Sequence, residues 1–372
     1  MFALYLLKEP IIEIPVATTL LATALVYFGL AILLPVAGVV IYEHPFGYLA
    51  GDIRWIQILF AGVVMISLYA GSLSTMVRDL ESSFKIILVV HLLFFSLQLS
   101  HSLNIFDTST VLELWYHNRP RYGDYGYHIG RFAGATAQSS GLGLSASLAI
   151  AVFGRSYIAN RENISYLILA FFLLLASGNR TSMVAVVGII ILFFIYILAF
   201  QEVSRNAFRR IVAGCAVVPP IFGVVYYFNI GRVATSDRYR ELLNVFLGQA
   251  PWDEVSKRAP RREAALEYTA EYPYGTLSNA GHVLGHLDTI DSYFVLVYLQ
   301  GRYPFLISFL ILLCAVMYTA IRSLPSSDDA LLPISMIGIT VSFSLTSNFA
   351  TGLSGKTVLV LTVVITMLTT LR

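Results

Sequence analysis

Apolar residues fill long segments of this chain, and short polar stretches separate the segments. A membrane-spanning helix needs roughly 20 predominantly apolar residues. Segments of about that length recur along almost the whole chain, and the pattern predicts about ten spanning helices. The predicted spans are 16–41, 55–76, 86–105, 137–153, 164–178, 181–200, 211–229, 303–321, 331–350 and 357–371. The first apolar run exceeds one span, so we expect a tilt or a kink near Pro35.

Composition supports a membrane protein, because 57% of the residues are hydrophobic and only 12% are charged. Soluble domains carry about 25% charged residues. The expected fold class is therefore all-α, a polytopic integral membrane protein with a single membrane domain over residues 1–372. The net charge of +2 is too small to indicate a nucleic-acid partner.

Basic residues set the predicted orientation. With the N-terminus inside, the opposite short loops carry only Arg54, Arg180 and Lys356. The basic residues of the short loops predicted to be cytoplasmic are Lys8, Arg78, Lys85, Arg155, Arg161, Arg205, Arg209, Arg210, Arg322 and Arg372. This excess follows the positive-inside rule and predicts that both termini are cytoplasmic. Two longer loops then fall outside: a first external loop, 106–136, and a large external loop, 230–302, with short helices.

The predicted spans contain no Asp, Glu, Lys or Arg, and only His91 and His101 can titrate near neutral pH. Ion-coupled transporters usually place ionisable groups at mid-membrane. The alternative outside the enzymes is a transporter or flippase for a lipid or small solute. The number of spans supports it, whereas the lack of charged residues within the spans opposes it. We interpret His91 as a packed, hydrogen-bonded residue of a helix.

Arg180 interrupts the apolar run between residues 167 and 200. Gly178 and Asn179 before it are a strong turn signal, which places Arg180 at the external mouth of a helical hairpin. There the guanidinium and the N–H groups of the next helix can bind an oxyanion. The alternative is an interfacial anchor that contacts lipid headgroups.

The first external loop mixes aromatic residues with arginines. Trp115, Tyr122 and Tyr125 have the flat faces that bind sugar rings. The alternative is an ordinary aromatic belt at the membrane interface. Arg131 directly precedes the fourth span, so we expect it at the membrane surface, where a lipid-linked anion lies.

The large external loop contains a predicted helix with Arg261 and Arg262 near its start. Glutamates recur every fourth residue from Glu263 to Glu271, so the arginines are candidates for anion binding or for neutralising this acidic stripe.

Two histidines and two aspartates follow that helix: His282, His286, Asp288 and Asp291. Zinc binding is weakly indicated, since glycines interrupt the helix and no third ligand is set by spacing. A base that takes a proton from a sugar hydroxyl is the better functional interpretation. The alternative is a solvated loop with incidental histidines.

Four segments resemble the family of O-antigen polymerases and ligases. Leu173–Phe194 is similar to the family segment in which an apolar helix ends in a small residue plus Arg and resumes as another apolar helix. Arg261–Gly275 resembles the Arg-headed external helix that ends in Pro-x-Gly, and residues 291–306 resemble the segment after it. Arg131–Gly143 resembles the Arg-containing approach to an earlier span.

The resemblance implies a GT-C-like glycosyltransferase of the bacterial inner membrane, active on the periplasmic face without a metal or other cofactor. Donor and acceptor would both be undecaprenyl-pyrophosphate-linked oligosaccharides, in contact with membrane lipid, and a chain-length regulator protein is a further partner. The family's ligases carry His followed by Asn where this chain reads Asp291-Ser292. This difference favours the polymerase branch, and the ligase that transfers glycan to lipid A-core is the alternative.

The residue roles follow from the resemblance. Diphosphate binding is expected from Arg180, Arg131, Arg262 and Arg261; the catalytic base from Asp291, His286 or His282; and sugar contacts from Tyr122, Tyr125 and Trp115.

Overall fold

The computed structural model describes residues 16–103, 105–116, 132–136, 138–200, 266–267, 269–278, 292–324, 328–346 and 353–370. Over these ranges the chain forms ten α-helices and three short 3-10 turns, without a strand. The helices are α1 Val16–Tyr42, α2 Phe46–Tyr69, α3 Leu73–Ser102, α4 Ser109–Tyr116, α5 Ser139–Asn160, α6 Ile164–Ser177, α7 Arg180–Phe200, α8 Tyr293–Ser323, α9 Leu331–Thr346 and α10 Leu353–Thr370.

Within the described ranges, six helical segments are long and apolar enough to cross a membrane. The chain is thus an all-α membrane protein, as its composition predicts. These segments are Ala17–Tyr42, Phe46–Tyr69, Leu73–His101, Ser139–Asn160, Tyr293–Ser323 and Asp328–Leu345. Shorter apolar helices are Ile164–Ser177, Thr181–Ile197 and Ser354–Thr370. The total of about ten spans and the large external loop stay predictions, and the span predicted at 211–229 lies outside the described residues.

Several helices begin earlier than the apolar pattern predicts. α2 begins at Phe46 and α3 at Leu73, so charged residues belong to these helices. Those charged residues are Asp52 and Arg54 in α2, and Arg78, Asp79, Glu81 and Lys85 in α3. The difference arises because hydropathy reports where apolar residues begin, whereas backbone hydrogen bonding extends a helix through polar residues as well.

The chain divides into two compact units. The first unit is Met1–Met76 with Arg258–Arg372, and the second is Val77–Lys257. The first unit therefore contains α1, α2, α8, α9 and α10, and the second contains α4, α5, α6, α7 and most of α3.

The core of the first unit forms around Tyr27 of α1, which is fully buried. Its ring stacks on Phe305 at 5.3 Å and lies 5.4 Å from the ring of Phe309, so α1 packs closely against α8. The ring of Trp55 meets the ring of Tyr27 edge-on, with the ring centroids 6.2 Å apart. Aromatic pairs in these geometries add to the stabilisation from apolar burial.

Helix α8 reverses direction at Gly301 and Arg302, which both leave helical backbone angles. We call residues 293–300 the short arm of α8 and residues 303–323 its long arm. The rings of Tyr293 and Phe309 are 5.2 Å apart, whereas a continuous helix would separate these residues by roughly 24 Å. The short arm therefore folds back along the long arm. The predicted span 303–321 coincides with the long arm, but the sequence pattern does not reveal the short arm.

Residues 275–277 bind the backbone groups that this reversal exposes. The N–H groups of Thr276 and Leu277 donate to the carbonyls of Leu299 and Gln300, both at 2.8 Å. The Arg302 guanidinium donates to the carbonyl of Tyr272 at 2.7 Å. Non-helical backbone is tolerated inside a membrane protein only where such partners exist.

Gly275 is required at this contact, and its replacement by alanine is a stability prediction. Its φ is +84°, and an added Cβ would lie 2.6 Å from the carbonyl oxygen of Leu299. Gly71 has the same φ of +84° with nothing within 4 Å, so Gly71→Ala is a matched control. We expect Gly71→Ala to lower the free energy of unfolding by about 1–2 kcal/mol, from the left-handed backbone alone. Gly275→Ala should cost about 2–5 kcal/mol, because the steric clash adds to it.

Denaturant unfolding of both variants in detergent measures this difference. Equal losses for the two variants would show that Gly275 tolerates a side chain and that the carbonyl contact is loose.

In the second unit, helix α5 is buried over most of its length against α6 and α7. A partly buried ion pair joins α3 to α5: Arg155 Nη1 lies 3.7 Å from Glu81 Oε1. Asn163 completes the cluster, because its amide nitrogen donates to Glu81 at 3.1 Å and to Ser156 Oγ at 2.9 Å. Buried charges need this kind of pairing.

Candidate functional site

The turn between α6 and α7 contains Gly178 and Asn179, the predicted turn signal. Hydrogen bonds of polar side chains stabilise this turn. Gly178 ends α6 with a φ of +57°. The side-chain oxygen of Asn179 accepts hydrogen bonds from the N–H and the hydroxyl of Ser182, at 2.9 and 2.8 Å. Asn179 thus caps α7, as Asn does at many helix starts. Arg180 is the first residue of α7, which confirms the predicted turn between two helices; its position on the external side stays a prediction.

Helix α5 packs directly on this turn. A Cβ at Gly143 would collide with the Ser182 hydroxyl and lie 2.9 Å from Cβ of Asn179. Ser147 adds polar contacts, since its hydroxyl donates to the carbonyl of Gly143 at 2.8 Å and reaches that of Ser182 at 3.5 Å. The absence of a side chain at Gly143 therefore determines how closely α5 approaches the start of α7.

Residues 132–136 lead from Arg131 to α5, and they touch the same turn. The N–H of Phe132 donates to the carbonyl of Ala176 at 3.3 Å. Phe132 follows Arg131 in the chain, and Ala176 precedes Arg180 by one helical turn. The backbone next to Arg131 therefore lies against the end of α6, and the turn after α6 leads to Arg180. Both arginines are predicted to bind an anion.

Two buried side chains of α3 hold residues 132–136 in place. The side-chain oxygen of Gln98 accepts from the N–H groups of Ala133 and Gly134 at 3.2 and 3.3 Å. His91 Nδ1 accepts from the N–H of Ala135 at 3.1 Å. Since Nδ1 accepts, His91 is neutral and carries its proton on Nε2. This bond confirms the interpretation of His91 as a packed, hydrogen-bonded residue.

Helix α4 contributes two aromatic side chains to the same segment. The Tyr116 hydroxyl donates to the carbonyl of Gly134 and accepts from the amide nitrogen of Gln98 at 2.8 Å. The indole N–H of Trp115 donates to the carbonyl of Ala135 at 2.9 Å. Trp115 is 57% exposed, and its ring lies 4.7 Å from that of Phe94. An oriented, exposed indole is compatible with the predicted sugar contact and with an interfacial anchor.

The carboxylate of Asp107 lies two residues before the start of α4. Asp107 accepts hydrogen bonds from the N–H of Ser109 at 3.0 Å and from its hydroxyl. Both bonds stabilise the ionised form, so the pKa of the Asp107 carboxyl lies below its ordinary value.

Sequence reasoning missed Gln98 and Tyr116, which together support two of the five residues from Phe132 to Thr136, Ala133 and Gly134. A buried glutamine in an apolar helix is a signal that a polar partner is present. That signal does not identify the partner, because Gln98 and Ala133 are 35 residues apart.

Most other predicted site residues lie outside the described residues. They are Arg131, Tyr122, Tyr125, Arg261, Arg262, His282, His286 and Asp291. Asp291 immediately precedes Ser292, whose hydroxyl donates to the carbonyl of Ser344 at 3.2 Å. Among the residues that the structure describes, no group of three His, Cys, Asp or Glu side chains is arranged to hold a metal ion.

Residues 132–136 thus lie against the end of α6, just before the turn that leads to Arg180. Hydrogen bonds from four side chains hold them there: His91, Gln98, Trp115 and Tyr116. No model of a known protein family matches the chain, and a comparison with curated proteins gives no match either.

Proposed function

We propose that this chain is a membrane glycosyltransferase that polymerises a lipid-linked glycan. The donor would be an undecaprenyl-pyrophosphate-linked oligosaccharide, and the acceptor the non-reducing end of another lipid-linked repeat unit. The all-α membrane architecture and the order of the arginine-containing segments along the chain support this proposal. The proposed location is the bacterial inner membrane, with the polar chemistry on the periplasmic face.

The α6–α7 turn is the observation that carries the proposal. Arg180 begins a helix, and the helix dipole concentrates partial positive charge at this end, which attracts anions. The hydrogen bond from Phe132 to Ala176 brings the chain next to Arg131 to the same helix hairpin. Two arginines and a helix N-terminus have the charge and the donors that a diphosphate requires.

Glycosyl transfer would use these groups in one displacement. An acceptor hydroxyl oxygen forms the new bond to the anomeric carbon, while the bond from that carbon to the pyrophosphate oxygen breaks. Negative charge grows on the departing pyrophosphate, so arginines aimed there stabilise the transition state more than the ground state. The hydroxyl proton passes to a base, for which Asp291, His286 and His282 are the candidates. The arginines supply the positive charge, so the proposed reaction needs no metal.

Product analysis tests the function directly. Purified protein in detergent is incubated with the undecaprenyl-pyrophosphate-linked repeat unit of its source organism, without metal, and the glycolipids are separated on a gel. We expect a ladder spaced by whole repeat units. Transfer only when lipid A-core is added would identify a ligase instead. If neither product forms, the transporter or flippase becomes the leading interpretation.

A further inference from the structure

Two polar landmarks on α3 mark where this helix enters and leaves the membrane. No Asp, Glu, Lys or Arg follows Lys85 in α3. Near the other end of α3, His101 Nδ1 lies 3.9 Å from Oδ1 of Asp107, whose side chain is 80% exposed. An exposed carboxylate lies at the membrane boundary or outside it. The helix between Lys85 and His101 is roughly 24 Å long, close to the roughly 30 Å of a hydrocarbon core.

Helix α4 leads back from this boundary along α3. The ring of Trp115 lies 4.7 Å from the ring of Phe94, and Phe94 precedes His101 by roughly two helical turns, or 10 Å of helix. The buried side of α4, Leu112 and Tyr116, packs against the same part of α3. The end of α4 therefore lies deeper in the membrane than its start. Hydropathy cannot reveal this, because the eight residues of α4 are too few for a span.

The outer side of α4 is apolar. Val111, Leu114 and Trp115 are each more than half exposed in the described part of the chain. With about 100° between successive residues, these three side chains fall on one face of the helix, and Glu113 lies about 150° from the middle of that face. We call these three residues the apolar face of α4. Such a division into apolar and polar sides is typical of helices that lie in a membrane interface.

The apolar face of α4 continues an apolar stripe on α3. Ile86, Val89 and Leu93 are exposed, and their spacing of three and four residues puts them on one side of the helix. Leu93 is next to Phe94, which contacts Trp115. Exposed apolar side chains within a span face the hydrocarbon tails of lipids, which are as apolar as leucine. The same tails are thus the neighbours that the level and the chemistry of α4 favour.

The opposite side of α4 binds polar backbone. Trp115 donates to the carbonyl of Ala135, and Tyr116 donates to that of Gly134. Non-helical backbone at membrane depth requires partners of this kind in the protein. Helix α4 therefore separates residues 132–136 from the side on which its apolar face lies.

We propose that α4 is embedded in the membrane interface and that its apolar face binds the acyl chains of bilayer lipids. The predicted orientation makes these the chains of the external leaflet. Trp115 is then an anchor in lipid and not a platform for sugar. This role does not depend on glycosyl transfer, and it leaves the other predicted sugar contacts unchanged.

Fluorescence quenching in lipid vesicles tests the position of Trp115. The chain has three tryptophans, so Trp55→Phe combined with Trp252→Phe leaves only Trp115. The full-length protein is reconstituted in phosphatidylcholine whose acyl chains carry bromine near the glycerol. We expect the bromine to remove roughly half of the Trp115 emission or more, because an interfacial helix lies about 5–10 Å into the headgroup and acyl boundary. Iodide in the water should remove much less.

The matched control combines Trp115→Phe with Trp252→Phe and leaves only Trp55, which is 4% exposed. Its emission should respond much less to the brominated lipid. If the protein with only Trp115 does not fold, comparison of the wild type with Trp115→Phe isolates the same signal. Stronger quenching of Trp115 by iodide than by brominated lipid would overturn the proposal, because the indole would then lie in water. Equal lipid quenching of Trp115 and Trp55 would overturn it as well.

Discussion

Replacing Arg180 with alanine is expected to lower formation of the glycolipid ladder by about 100- to 1000-fold, the effect of removing one donor aimed at developing negative charge. The amount of folded protein should stay at the wild-type level. The turn around Arg180 is held by backbone and side-chain bonds of Ser177, Asn179 and Ser182. None of these bonds needs the arginine side chain. Initial rates measured with the lipid-linked repeat unit test this expectation.

Two further variants separate charge from position. Arg180→Lys retains the positive charge but loses the planar guanidinium that binds phosphate with two parallel bonds, so we expect an intermediate rate. The N-terminal part of α5 packs on the turn before Arg180, whereas Arg161 directly follows the C-terminal end of α5 in a left-handed conformation. Arg161→Ala therefore removes an arginine far along α5 from this turn. This control should leave the rate unchanged. An Arg180→Ala protein that folds poorly would instead identify the arginine as a structural or interfacial residue.

Replacing Gln98 with leucine should cause the largest loss of stability among single substitutions in the second unit. Gln98 is fully buried and accepts hydrogen bonds from the N–H groups of Ala133 and Gly134. Leucine has a similar size but no acceptor, so both N–H groups would lose their partner. Each buried, unpaired group costs about 1–3 kcal/mol, and we expect a total of about 2–6 kcal/mol. The total free energy of unfolding of a single domain is only about 5–15 kcal/mol.

The matched control lies two residues away on α3. Ser96 is exposed and donates to the carbonyl of Leu92 in its own helix, so Ser96→Ala should change the free energy of unfolding by less than about 0.5 kcal/mol. Unfolding in denaturant, followed in detergent, compares the two variants. A Gln98→Leu protein as stable as wild type would show that the N–H groups of residues 133 and 134 find other partners. It would also remove the argument that α3 positions the chain next to Arg131.

The apolar pattern by itself determined the membrane class and the existence of most described helices. Runs of apolar residues identify α1, α6 and α7 to within a few residues, because the length of an apolar segment is a local property of the chain. The turn before Arg180 was likewise predictable, because Gly178 and Asn179 favour turns whatever surrounds them.

Only the tertiary structure decided which residues meet. The reversal of α8 needs acceptors and donors from residues 272–277, which are far from Gly301 in the chain. The role of Gln98 depends on Ala133 and Gly134, and the burial of Lys356 depends on Trp55 of another helix. Hydropathy averages over neighbours in sequence, whereas these contacts join residues that only packing brings together. The sequence therefore determined where helices form, and the packing of distant segments determined which polar groups they place side by side.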